Sequence, residues 1–201
     1  MQVNLQYRIT LLAPLHIGSG FGVAGVINSA LVRNHADFVY IPGSSLKGRL
    51  RSNALRLSRQ LKYGHNLIDS IFGTPQNKGS LRFSDAHFDD LITSLPGLKS
   101  YQASTITGVG IERRRRISQE QHLFTKEHAV EGLEFVANIG GTLENVSSGY
   151  PKGLGLLIAS LVFTDHLGGG KSRGFGKVRI TIEQFVLDGT SQDLQDFLNI
   201  L

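Results

Sequence analysis

Cysteine and tryptophan are absent from the 201 residues, and methionine occurs once. Without thiols there can be no disulfide framework and no thiolate zinc site. No apolar run reaches the roughly 18 residues that a membrane-spanning helix needs. The chain opens on an alternating strand pattern instead of a charged-then-apolar leader, so a cytoplasmic location with no membrane contact is expected. Acidic residues are the scarcer charge, 16 against 21 Lys and Arg, and the resulting +5 favours an acidic partner. Aromatic residues make up only 8% of the chain, which gives base stacking little scope as the main source of affinity for nucleic acid. None of the histidines at 16, 35, 65, 87, 122, 128 and 166 has another four residues away. No metal site and no cofactor is therefore expected, and His122 and His128 are assigned to a loop.

Glycine is what the chain has in excess. Its 24 copies exceed the usual share of about 7%, and they cluster near 18–25, 140–155 and 168–176. Gly20–Gly25 matches G-x-G-x-x-G. A dinucleotide site would need a helix directly afterwards, and Val26–Arg33 is β-branched and strand-like, so that reading is rejected. Gly168, Gly169, Gly170, Lys171, Ser172 and Arg173 lead to Gly176-Lys177 without the spacing or the hydroxyl of a Walker A loop. Consecutive glycines can still converge backbone N–H groups on an anion, with Lys171 and Arg173 adding charge.

The segment Tyr40–Arg51 organises the rest. Pro42-Gly43 stops an apolar run, and Ser44 or Ser45 is expected to cap a helix. That N-terminus, with Lys47 in its first turn, suits an anion. Leu46, Leu50, Ala54, Leu57 and Leu61 form one apolar stripe at helical spacing. Lys47, Arg49, Arg51, Arg56, Arg59 and Lys62 fill the remaining circumference, with no acidic residue between Asp37 and Asp69. Decoration of one sign suits a polyanion better than a solvated face, where Glu usually pairs Lys.

Around this helix, Val3–Leu11 alternates as a strand. His65–Phe72 reads as a short helix, Gly79–Phe88 and Leu133–Ile139 as strands. A helix opens at Pro151, Val178–Ile182 is a further strand, and Ser191 caps a small tail helix. Between them, Arg113, Arg114, Arg115 and Arg116 belong to an Arg-rich insertion at about 101–132, expected to project as a β-hairpin that returns through Leu123-Phe124 to Gly132. Without the insertion the order is βαββαβ, an α+β, ferredoxin-like (RRM-like) plan in a single domain over 1–201.

Ile41-Pro-Gly-Ser-Ser-Leu-Lys-Gly-x-x-Arg51 resembles the signature of the RAMP superfamily, RNA-binding proteins of CRISPR systems. Leu15-His16-Ile17-Gly18 and Leu167–Val178 resemble its other two motifs, in the same order. The nearest likeness is to the repeated backbone subunit of type III effector complexes. This resemblance implies guide RNA and target RNA as partners, beside other RAMP subunits and further copies of the chain, and it makes the hairpin a thumb crossing the guide–target duplex. It implies RNA contacts for His16, Ser44, Ser45, Lys47, Arg51, the four arginines and Gly168–Arg173, with the helix start and the glycine loop walling one groove. Active relatives use an aspartate and a divalent metal to cut target RNA, and Asn28 stands in that aspartate's place. An amide is neither a base nor a charged ligand, so weak or absent nuclease activity is expected. The alternatives are a metal-independent RAMP endoribonuclease that processes CRISPR transcripts and a general single-stranded RNA binder.

Overall fold

The computed structural model describes residues 1–22, 27–95, 97–112, 114–144 and 151–194. Strand β1 (Gln2–Leu11) is followed by helices α1 (Gly43–Gln60) and α2 (His65–Phe72), strand β2 (Leu81–Phe83) and short helices α3 (Asp90–Thr93) and α4 (Leu98–Tyr101). Then come β3 (Ala103–Glu112), β4 (Ile117–Ala129), β5 (Glu134–Thr142), α5 (Lys152–Val162), β6 (Val178–Leu187) and β7 (Thr190–Ser191). The main sheet runs β2-β5-β1-β6-β7, with antiparallel neighbours, while β3 and β4 form a separate two-stranded sheet. Taking β1, β2, β5 and β6 as the four core strands and α1 and α5 as the crossings, this is the ferredoxin-like arrangement with a hairpin inserted between its second and third strands.

Alternation explains which face carries the core. Val3, Leu5, Tyr7, Ile9 and Leu11 are buried on β1, and their cross-strand partners include Phe135, Ala137 and Ile139 of β5. Strand β6 begins in the same phase with Val178, but Phe185 and Leu187 lie an odd number of residues further on. A bulge at Glu183 resolves this: Tyr7 faces Ile182 whereas Gln6 faces Gln184, so the extra residue turns both halves of β6 toward the core. Leu46, Leu50 and Ala54 of α1 pack with Leu154, Leu157, Ile158 and Leu161 of α5 in the same core cluster.

Several local expectations change. Helix α1 starts at Gly43 with Pro42 as its cap, two residues before the earlier of the expected caps, so Ser44 and Ser45 lie inside the first turn and make no cap bond. The Gly43 N–H instead donates to Asp85 Oδ1 at 2.7 Å. Leu61 is 52% exposed and Ser58 is buried in its stead, because the stripe rotates off the core at the helix end. Residues 79–88 make only the three-residue β2, followed by single bridges at Ala86 and His87, since Asp85 leaves the strand to hold the helix start. Ile27–Arg33 is not a strand: its backbone bonds go one at a time to 17–21 and to β4. Ser191 belongs to β7, which Asp188-Gly189, both at positive φ, turns back along β6. Most of the expected tail helix lies outside the described residues.

Of the two glycines in α1, Gly43 is the one that close packing requires. A Cβ there would fall 2.4 Å from the Phe83 carbonyl oxygen, whereas one on Gly48 would meet nothing within 4 Å. Gly43→Ala should cost about 1–3 kcal/mol through overpacking. Gly48→Ala should instead add about 0.5–1 kcal/mol of helix stability. Urea unfolding of the two variants checks both signs.

Candidate functional site

Helix α1 brings its cations to the surface, but partners from other elements neutralise some of them. Arg51 reaches Asp69 of α2 at 3.0 Å, and Arg49 lies 3.6 Å from Asp165 in the stretch after α5. Lys47, Arg56, Arg59 and Lys62 have no ion pair among the described residues. Ser44 and Lys47 border a cleft of about 430 Å³ whose opposite wall is Lys78, Gly79 and Arg82. Ser45 is exposed beside it.

The glycine loop folds against the end of β1. Gly176 N–H donates to the Pro14 carbonyl at 2.8 Å and Gly169 N–H to the His16 carbonyl at 3.2 Å. Gly168, Gly170, Gly174 and Gly176 all have positive φ, and Lys171–Arg173 forms one 3₁₀ turn between Gly170 and Gly174. A groove of about 760 Å³ results, lined by His16, Gly169–Arg173, Lys126, His128 and Phe175. His16 and the glycine loop, 150 residues apart in the chain, are therefore one site.

Among the described residues the helix start and the glycine loop border separate cavities. Gly43 anchors the first to β2, at one edge of the sheet, whereas the second is tied to the β1–β6 side. They connect through Asp165, whose Oδ1 lies 3.6 Å from Arg49 and 3.5 Å from Lys171. The His166 ring at 3.1 Å, and Lys171 after it, hold the Asp165 carboxyl below its ordinary pKa.

Three lining residues were not anticipated: Lys126, His128 and Phe175. His122 and His128 lie on β4, not in a loop. Two-residue spacing puts Lys126 and His128 on one face of that strand and Glu127 on the other, a signal readable in the sequence once 117–129 is taken as extended. The His128 ring stacks on Phe175 at 4.6 Å and lies 5.4 Å from that of His16. Burial first, and the neighbouring His16 after it, push the His128 pKa below its ordinary value. His16 is held at both nitrogens, Nδ1 by the Glu127 carbonyl at 2.6 Å and Nε2 by Ser29 Oγ at 3.0 Å.

Glu127 ties the base of the hairpin to the body. Its carboxylate accepts the Leu31 N–H at 2.9 Å and pairs with Arg33. Asn28 joins the same seam: its N–H donates to the Thr125 carbonyl at 2.9 Å, and its Oδ1 accepts the Thr125 N–H at 2.7 Å. Among the described residues no group of three or more His, Asp or Glu could hold a metal. The amide oxygen of Asn28 is already engaged by a backbone N–H. Arg114, Arg115 and Arg116 are exposed at the hairpin turn, Arg115 lying 3.9 Å from Glu112, and Arg113 lies outside the described residues. At about 3.3 Å per residue the tip stands some 30 Å from the hairpin base.

The family model for the RAMP superfamily matches residues 8–179. Among curated proteins, the chain is similar to the CRISPR system Cms endoribonuclease Csm3 of Enterococcus italicus, 26% identical over 98% of this chain and 95% of that one. It is likewise similar to the protein of that name from Streptococcus thermophilus, 30% identical over 88% of this chain and 86% of that one. Among solved structures, a chain of the type III-B Cmr-beta complex bound to cognate target RNA superposes with a TM-score of 0.67. It is 14% identical, over 89% of this chain and 96% of that one, a likeness of fold.

The depressed His128 pKa has a consequence for stability. Its folded pKa lies below its unfolded value near 6.5, so the unfolded chain binds the proton more readily. The stabilisation is complete above that pH and is lost as acidification approaches the folded value. The urea midpoint should fall from pH 7.5 to 5.5, and His128→Phe, which keeps a ring against Phe175, should flatten that fall.

Proposed function

The chain belongs to the RAMP superfamily, and from that premise we propose that it is a guide-RNA-binding backbone subunit of a type III-like, RNA-targeting CRISPR effector complex. It binds RNA without regard to sequence and cuts target RNA weakly or not at all. The observation that carries this reading is the groove joining His16 to Gly169–Arg173 and Lys126. Cations and loop backbone are what a sugar-phosphate chain needs, and such contacts fix position without reading bases. Lys47 and the cleft beside it extend the contact along α1, as does Arg51 from within its pair with Asp69. Further copies of the chain and other RAMP subunits assemble on the same guide, with the hairpin arginines crossing toward the target RNA.

The main sheet supports the groove as the RNA surface by offering no substitute. On its outer face β1 presents Gln6, Arg8 and Thr10, and Arg8 is committed to Glu134 at 3.2 Å and to Glu183. The described outward positions of β1, β5 and β6 carry no aromatic of the kind on which RNA-recognition domains stack bases. A transcript-processing endoribonuclease is the second reading, favoured by the pairing of His16 with His128. It is weakened because both His16 nitrogens are engaged and Nδ1 of His128 is enclosed.

Affinity for unrelated single-stranded RNAs should fall steeply with salt, and Lys171→Ala and Arg173→Ala should each lower the log–log slope by about 0.7. A loss confined to one RNA sequence would contradict the assignment. Lys47→Ala is the cleaner probe of the helix start, because Arg51→Ala also breaks an ion pair. With magnesium, Asn28→Asp should keep the Thr125 contact through one oxygen and gain target-RNA cleavage that the parent lacks, read as discrete products on a gel. A single product formed without metal would favour the processing enzyme.

A further inference from the structure

Lys171 lines a second cavity as well as the groove. This space of about 380 Å³ lies on the other side of the glycine loop, between the middle of α1 and the end of α5, and includes Arg56, Leu57, Gln60, Phe163 and Asp165 in its lining. Phe163 is 64% exposed, and Val162 before it 60%. Isolated exposed apolar residues are ordinary; this one is held rigidly at a charged cavity. The Phe163 N–H donates to the Ala159 carbonyl as the last bond of α5. The next residue, Thr164, is buried, donating through Oγ1 to the Ser160 carbonyl at 2.7 Å and accepting from Asn53 Nδ2 at 2.8 Å. The ring therefore stands on an immobilised stretch of backbone.

We propose that this cavity is a nucleobase site, in which Phe163 stacks one base of a single-stranded RNA whose phosphates follow the glycine loop. The proposal rests on the RNA-binding reading above and adds a subsite to it. Arg56, without an ion pair among the described residues, and Lys171 supply the positive rim. Asp165 does not oppose this, since its carboxylate lies 3.6 Å from Arg49 and 3.5 Å from Lys171. The Gln60 amide can donate to or accept from the edge of any base, which keeps the site tolerant of sequence. A protein partner fits less well: a stable interface needs roughly 800 Å² per side, and the apolar lining here is one ring and Leu57 beside charged groups. The 3₁₀ turn Lys171–Arg173 is then a ridge, with phosphates on its crest, the His16 groove on one flank and the base on the other.

The test is binding of a short labelled single-stranded RNA to the parent, Phe163→Ala, Phe163→Trp and the double variant Lys171→Ala/Arg173→Ala, repeated with an RNA carrying abasic positions. Phe163→Ala should weaken binding about 5- to 100-fold, Phe163→Trp should retain it, and the abasic RNA should bind parent and Phe163→Ala alike. If Phe163→Ala binds as the parent does while the double variant is weakened, the base site is overturned and the RNA-binding reading stands. If the parent itself binds no RNA, both fall. If Phe163→Ala changes only self-association on long RNA and leaves the short oligonucleotide unaffected, the ring is a protein contact and the proposal fails.

Discussion

The close approach of the glycine loop to the end of β1 is the constraint on which the site depends. A Cβ on Gly168 would fall 2.4 Å from the His16 carbonyl oxygen, and one on Gly176 would fall 2.0 Å from that of Leu167. Both residues also have positive φ, which side chains disfavour. Two independent requirements, space and dihedral, thus converge on the same residues. With them met, the loop bonds to Pro14 and His16, Lys171 and Arg173 are held on one turn, and a basic groove exists.

The second organising feature is the seam at the hairpin base. Asn28, Ser29, Leu31 and Arg33 bind the backbone of Thr125 and Glu127 and the carboxylate of Glu127, and Leu15 bonds reciprocally with Ala129. The position where the resemblance places an aspartate is thereby fastened to the root of the hairpin. The Glu127 carbonyl also orients His16, so the seam and the groove share an anchor.

The outer face of the main sheet differs from the base-stacking face of RNA-recognition domains. The outer surface of the main sheet is occupied by Arg8 and its carboxylate partners, and the cationic concavities lie along the glycine loop and α1. The same core thus carries its polar and basic surfaces at different places, because the sheet dictates only where the buried face lies.

Local pattern was sufficient for the regular elements. Alternation marked β1, β5 and the start of β6, helical spacing marked α1 and α5, and the Arg-rich insertion marked a hairpin. It failed where side chains compete with the backbone or where spacing changes phase: Asp85 replaced the serine cap, Glu183 shifted β6, and Asp188-Gly189, a hairpin signal, puts Ser191 on a strand instead of at a helix cap. Within the site, His16 and Gly168–Arg173 were nominated separately from their own motifs. That they share a groove, that Lys126, His128 and Phe175 complete it, and that Asp69 and Asp165 neutralise two of the helix cations depended on the tertiary structure. The reason is physical: periodicity and turn chemistry act over a few residues and can be read along the chain. Ion pairs, stacked rings and close backbone approaches join residues as much as 175 positions apart, and only the folded sheet sets those distances.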